Sequence, residues 1–210
     1  KGTSGVTITS TTDLTAPSTL EIPNAFGHGT STSVEIEQPV STDLTISEKT
    51  TSDKELPETL SVEMETTASL IVDTPNLTVS LEGTYTTVEA TTAENTLIVA
   101  KNTVIETLTV KKGNVKIYGT VGEIVNEGTG KIIRCIDAQD EVERTLADTR
   151  CDHILIEKPA GTLDFGGGTT TKQVCVEASV TIANLIVSPE KEHPVMVSGD
   201  NVKLTLDGVK

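Results

Sequence analysis

Basic and aromatic side chains are scarce in this chain, and the scarcity locates the candidate chemistry. The arginines are Arg134, Arg144 and Arg150, the histidines His28, His153 and His193, and the aromatics Phe26, Tyr85, Tyr118 and Phe165. Arg134, Arg144, Arg150, Tyr118 and His153 fall in one stretch of an otherwise acidic sequence. They form the candidate binding surface, with cationic and hydrogen-bonding groups suited to a glycan or a surface-protein ligand. Cys151 and His153 are two apart, which on a strand puts them on one face, as a thiol–imidazole pair would need. No triad or nucleophile-elbow frame surrounds them, so a structural cysteine beside an exposed histidine is the simpler reading. Gly166-Gly167-Gly168 lacks the lysine of a phosphate loop and reads as a flexible turn. The absence of any Cys-x-x-Cys argues against zinc, and no cofactor is expected.

Composition narrows the classes further. The net charge is −15, from 31 acids against 16 bases. Nucleic acid and anionic membrane surfaces both require a basic patch, so neither is an expected partner. No apolar run approaches the roughly 20 residues of a membrane-spanning helix, and no membrane insertion is expected. The chain opens Lys1-Gly2-Thr3-Ser4-Gly5, which is not a signal peptide, so it reads as a mature or trimmed chain. Aromatics make up only 2% of it and tryptophan is absent. A globular core of this length normally rests on several large rings. Threonine supplies about one residue in six, which with Val and Ile raises β propensity throughout. Acidic, Thr-rich, repeat-built β chains suggest an extracellular or cell-surface setting.

The elements that would position these groups show in a recurring strand pattern. Apolar strand starts at Leu60, Leu77, Leu97, Val115 and Ile132 form one phase. Leu70, Val88, Leu108 and Ile124 form a second. In the last third, Ile154, Val174 and Val195 run beside Leu163, Ile182 and Val202. Every series repeats at about 16 to 21 residues, the signature of a solenoid in which each period is one coil. Val/Ile/Leu side chains of successive coils would stack into columns, which removes the need for large rings. Asn76, Asn114 and Asn201 each open such a strand, and Gly83, Gly119 and Gly208 close it, as left-handed turn conformations would require. That frame also explains Asn76-Leu77-Thr78, which otherwise fits an N-glycan acceptor. Strands up to about Thr59 follow a looser rhythm, with longer loops. The expected fold is a single all-β parallel β-helix over residues 1–210, of roughly nine or ten coils. Its terminal coil, ending in Leu204-Thr205-Leu206, is free to pack on another domain or chain.

One segment breaks the pattern. Between Asp137 and Cys151, Ala138, Val142 and Leu146 recur at every fourth position among charged residues, which predicts a short amphipathic helix or ordered loop inserted between coils. Cys135 and Cys151 bracket this excursion. A disulfide between them would staple its base, with Cys175 unpaired; the alternative is three reduced thiols in an apolar wall.

Coils of about 20 residues, Asn and Gly at the turns and Val/Ile/Leu stacks resemble right-handed parallel β-helix proteins of the pectate-lyase-like superfamily. The likeness is greatest to the short, Thr-rich helices of bacterial surface and secreted proteins. Glycosidases of that superfamily carry Asn-Thr-Asp, Asp-Asp, Gly-His-Gly and Arg-Ile-Lys. Here Gly27-His28-Gly29 matches the third alone, and no carboxylate pair is present to protonate a leaving group and activate water. Lyases need calcium carboxylates beside a basic proton acceptor. The acids nearest the arginines are Asp137, Asp140, Glu141 and Glu143, and a basic cleft for a polyanionic sugar is hard to build at this net charge. The expectation is a non-enzymatic structural or adhesive module of a bacterial surface protein. A carbohydrate-binding or polysaccharide-processing β-helix is the alternative.

Overall fold

The computed structural model describes residues 16–23, 31–37, 39–49, 59–91, 96–136, 150–158, 161–167, 169–188 and 194–210. Those residues are all-β and contain no helix; their coils stack as a parallel β-solenoid of about six turns. The chain divides into two compact units, Lys1–Gly130 and Lys131–Lys210. The helical or loop excursion, with Arg144 and its acids, lies outside the described residues, as does Gly27-His28-Gly29.

In the first unit the strands are β1 (Ser18–Pro23), β2 (Ser31–Glu35), β3 (Leu44–Lys49), β4 (Thr59–Asp73), β5 (Thr78–Ala90), β6 (Thr96–Val99), β7 (Val104–Val110), β8 (Asn114–Ile117) and β9 (Thr120–Asn126). β4 and β5 pair in parallel along almost their whole length, with a register shift between Thr66 and Ser69. That shift is a corner, so each long strand serves two faces. Beyond it the faces separate: β6 and β8 continue the first, β7 and β9 the second.

Leu60, Val79, Leu97 and Val115 stand in register on the first face, and Leu70, Val88, Leu108 and Ile124 on the second. The second column is the one expected from the sequence. In the first, Val79 takes the place assigned to Leu77. Leu77 is also fully buried, but it points inward from the turn before β5, two residues ahead of the column. Each buried Leu or Val contributes about 1.5–3 kcal/mol, which lets the core form without large rings. Early coils are longer than the rest: Ser18 pairs with Leu44, and Leu44 with Leu70, each 26 residues on. Nine or ten coils would require every residue to follow the shorter period, and the described residues form about six.

Inward side chains follow one rule around the corner. Tyr85, Val88 and Ala90 are buried, as are Ile105, Leu108 and Val110. Two residues separate the first pair and one the second, because the chain bends where strict alternation fails. Polar groups inside the corners are satisfied by backbone. Tyr85 Oη lies 2.8 Å from the Glu82 carbonyl and 3.2 Å from that of Val62, and burial drives the phenol well above its ordinary pKa. Thr103 Oγ1 donates to Leu81 O at 2.6 Å, one coil earlier. At Gly83, φ is +110° and an added Cβ would collide with the Met64 carbonyl oxygen of the coil below, so the residue must be glycine.

The asparagine frame is only partly a matter of left-handed turns. Asn201 has φ +64°, whereas Asn76 and Asn114 do not have positive φ. Asn76 is held from the previous coil: Glu48 accepts from its backbone N–H at 2.6 Å and from Nδ2 at 3.1 Å. Asn184, outside the expected frame, has φ +54°.

The second unit contains β10 (Lys131–Ile136), β11 (Arg150–Ile156), β12 (Thr162–Asp164), β13 (Thr170–Val176), β14 (Val180–Ala183), β15 (Ile186–Val187), β16 (Val195–Val197) and β17 (Leu204–Asp207). β10, β11 and β13 pair successively in parallel, and β13 carries β15 along its start and β16 along its end. β12, β14 and β17 form a separate three-stranded sheet. Ile154, Val174 and Val195 stack as expected. Leu163 stacks on Ile182, but Leu206, not Val202, completes that column.

Candidate functional surface

Of the residues singled out from the sequence, Arg134, Arg150 and His153 lie on paired strands of the second unit, and Arg144 lies outside the described residues. Arg134 on β10 is in register with Ile154, a fully buried position. Arg134 is half-buried and its Nε is enclosed, so this side chain is built into the wall. His153 on β11 lies between Ile133 and Gln173 in the paired strands and is half-buried. Arg150 opens the same strand opposite Thr170. Arg134, Arg150 and His153 thus share two adjacent strands. Tyr118 follows β8 in the first unit, where its backbone N–H donates to Val99 O at 2.9 Å.

The corner separates Cys151 from His153. Cys151, Ile154 and Ile156 are the buried residues of β11, repeating the spacing of Tyr85, Val88 and Ala90. Cys151 therefore points inward, in register with the buried Thr171, while His153 lies past the bend. Strict alternation would have put both on one face. Burial pushes the Cys151 thiol above its ordinary pKa, against the opposing pulls of the Thr171 hydroxyl and the Arg134 charge. The thiol is therefore protonated at neutral pH and is not an activated nucleophile.

The expected Cys135–Cys151 bridge is not formed, and all three thiols are free. Register explains why. Ile133 pairs with His153 and Cys135 with Leu155, so Cys135 sits four residues further along the ladder than Cys151. At about 3.3 Å per residue the two are roughly 13 Å apart along the strand, and a disulfide tolerates no more than about 7 Å between Cα atoms. Cys175 pairs with Leu155 on its other side, so Cys135 and Cys175 share one column with a leucine between them.

Asp152 is a contributor that the sequence reading passed over. Its Oδ2 accepts from the Ile132 backbone N–H at 2.9 Å, and its Oδ1 lies 3.0 Å from Lys172 Nζ. One carboxylate thus ties together three successive coils. At the next turn Asp164 Oδ1 accepts from Asn184 Nδ2 at 2.8 Å and from the Gly166 backbone N–H at 2.9 Å. The Asn184 bond, with that of Gly166, holds the carboxyl below its ordinary pKa. Gly166 and Gly167 both have positive φ, so these two glycines form a defined turn anchored by Asp164.

A shallow groove of about 280 Å³ lies on the outer face of the three-stranded sheet, lined by Thr162, Ser179, Thr181, Lys203 and Thr205 among others. Thr162, Thr181 and Thr205 occupy one register row, so their hydroxyls recur at the inter-strand spacing of about 4.8 Å. A sequence signal existed: Thr162-Leu163-Asp164, Thr181-Ile182-Ala183 and Thr205-Leu206-Asp207 share one frame. Among the described residues no three His, Cys, Asp or Glu side chains group so as to hold a metal ion. No protein family, no curated protein and no solved structure matches this chain.

Proposed function

We propose that this chain is a non-catalytic, extracellular structural or adhesive module of a bacterial surface protein. Within the β-solenoids, we place it beside the Thr-rich helices of the pectate-lyase-like superfamily. The observation that carries the reading is the use of its polar groups. Tyr85, Thr103, Asp152 and Glu48 each bind backbone in or across coils, so side chains that could serve chemistry serve stacking. A repeat held in this way suits a stiff wall that displays a surface. Pectin, polygalacturonate, alginate and chondroitin sulfate should show no turnover when incubated with the 210-residue chain. Turnover that disappears in Arg134→Ala or Arg150→Ala would overturn the reading.

The Thr162–Thr181–Thr205 groove favours a second reading, carbohydrate binding. Regularly spaced hydroxyls beside Lys203 offer hydrogen bonds along an extended glycan, without the aromatic stacking face that many sugar sites use. A glycan array should then show binding that Thr181→Val weakens. An array with no signal would leave the structural role.

A further inference from the structure

We infer that Cys175 and Met196 form a two-sulfur binding site for a soft, monovalent metal ion of the Cu(I) class. The chain has three cysteines and two methionines, and three of those five residues occupy one register row of the second unit. Cys135 pairs with Leu155, Leu155 with Cys175, and Cys175 with Met196. Leu155 separates Cys135 from the other two, so the adjacent sulfurs are those of Cys175 and Met196. Both side chains point outward. Val174 and Val176 take the buried positions of β13 and pair with Val195 and Val197 of β16, which turns the residue between each pair away from the core.

The orientation of the thioether supports the pair. Gln173 Nε2 donates to Met196 Sδ at 3.1 Å, so the sulfur leans toward β13. Gln173 and Cys175 are two apart on that strand and share its outer face. A thioether is a weak acceptor, so this bond competes little with a metal. The Cys175 thiol is free of any disulfide. Spacing suits two-coordinate binding. Residues facing one another on paired strands are about 4.8 Å apart, and two metal–sulfur bonds of about 2.3 Å laid end to end span roughly 4.6 Å. Thiolate and thioether ligands select soft ions such as Cu(I). Structural zinc needs four ligands, and among the described residues no three His, Cys, Asp or Glu side chains group to supply such a set. On binding, the Cys175 S–H proton passes to solvent and its electron pair forms the metal–sulfur bond. Met196 donates a lone pair and loses nothing. The metal keeps its oxidation state, so no co-reactant is consumed.

Anaerobic titration of the 210-residue chain with Cu(I), held in competition with a chromophoric chelator, tests this. The parent should bind one equivalent, which zinc at the same concentration fails to displace. M196L nearly keeps the side-chain volume and removes the second sulfur, and it should weaken binding on the order of tenfold. C175S should abolish binding, whereas C135S/C151S, with Cys175 its remaining thiol, should bind like the parent. Circular dichroism would certify the fold of each variant. Peptide mapping after iodoacetamide gives a second readout that needs no cysteine variant. Cu(I) should shield Cys175 in the parent, and the shielding should fall in M196L at the same Cu(I) concentration. An M196L protein with the parent's affinity would reduce the site to an ordinary thiol and overturn the inference. So would a parent that binds no Cu(I), binding that survives C175S, displacement by zinc, or Cu(I) that leaves Cys175 as reactive as before.

Discussion

The β4–β5 pair and the β16–β17 end coil are built from the same kind of sequence, and they behave differently. Thr59-Leu60-Ser61-Val62 and Leu204-Thr205-Leu206-Asp207 both alternate apolar and polar residues. Leu60 and Val62 are completely buried, whereas Leu206 remains 49% exposed. The difference is that β4 has paired strands before and after it, while among the described residues β17 pairs with β14 alone. In this fold burial is conferred by the neighbouring coil, so a pattern shows which residues face inward but not how well they are covered. The stability of a repeat accordingly depends on its nearest-neighbour interfaces.

The largest effect that tests this contrast is a matched pair of charges. Leu97→Asp places a carboxylate between Val79 and Val115 and should cost several kcal/mol, on the order of 4 or more. Leu206→Asp, measured in dilute solution, should cost roughly 0.5 kcal/mol or less. Denaturant melts of the two variants would refute the contrast if their midpoints fell equally.

Smaller effects are expected from the corner hydroxyls. Tyr85→Phe and Thr103→Val each remove a hydrogen bond to a buried carbonyl and should cost about 1–2 kcal/mol in the same melts. A Tyr85→Phe protein as stable as the parent would mean that its hydroxyl contributes no net stability.

The thiols give a pH-dependent contrast. Burial raises the pKa of Cys151, and burial with the Glu177 charge raises that of Cys175. The folded chain therefore keeps protons on these thiols at a pH where the unfolded chain has lost them. Stability is full below the usual thiol range and falls as pH rises through and above it. Cys151→Ser should flatten that fall. Thiol titration under native conditions should modify Cys175 before Cys135 or Cys151, because it is the least buried of the three. Detection of a Cys135–Cys151 peptide would contradict the register of β10 and β11.

The smallest expected effect belongs to the exposed ion pair of Lys111 Nζ and Glu89 Oε1, 2.7 Å apart. Lys111→Met should lower the melting temperature slightly in dilute buffer and not at all in concentrated salt. A salt-independent loss would point to packing of the lysine stem.

Much of the fold was legible because columns recur with the chain itself. Leu70, Val88, Leu108 and Ile124 can be read from spacing alone. Errors arose where the chain turns. Leu77 and Val202 are apolar residues close to a strand, and apolarity does not distinguish a turn residue from the column member two or four positions on. The corners were missed because they replace alternation with the spacing of Cys151, Ile154 and Ile156, and that error alone put Cys151 and His153 on one face. The disulfide failed for a related reason: closeness in sequence to an excursion says nothing about register between coils. The candidate surface was less legible than the core. Arg134 reads as an exposed cation until its register with Ile154 is known, and the groove threonines are individually ordinary. Their shared row emerges only when coils of unequal length are aligned.

Hydrogen exchange, resolved by peptide and carried out in dilute solution, tests the central claim most directly: that order in this solenoid comes from coil-on-coil stacking. The slowest amides should lie in β4, β5 and β7, where strands are paired on both sides, and the fastest strand amides in β16 and β17. Uniform protection across these strands, or protection of β16 and β17 equal to that of β5, would contradict it.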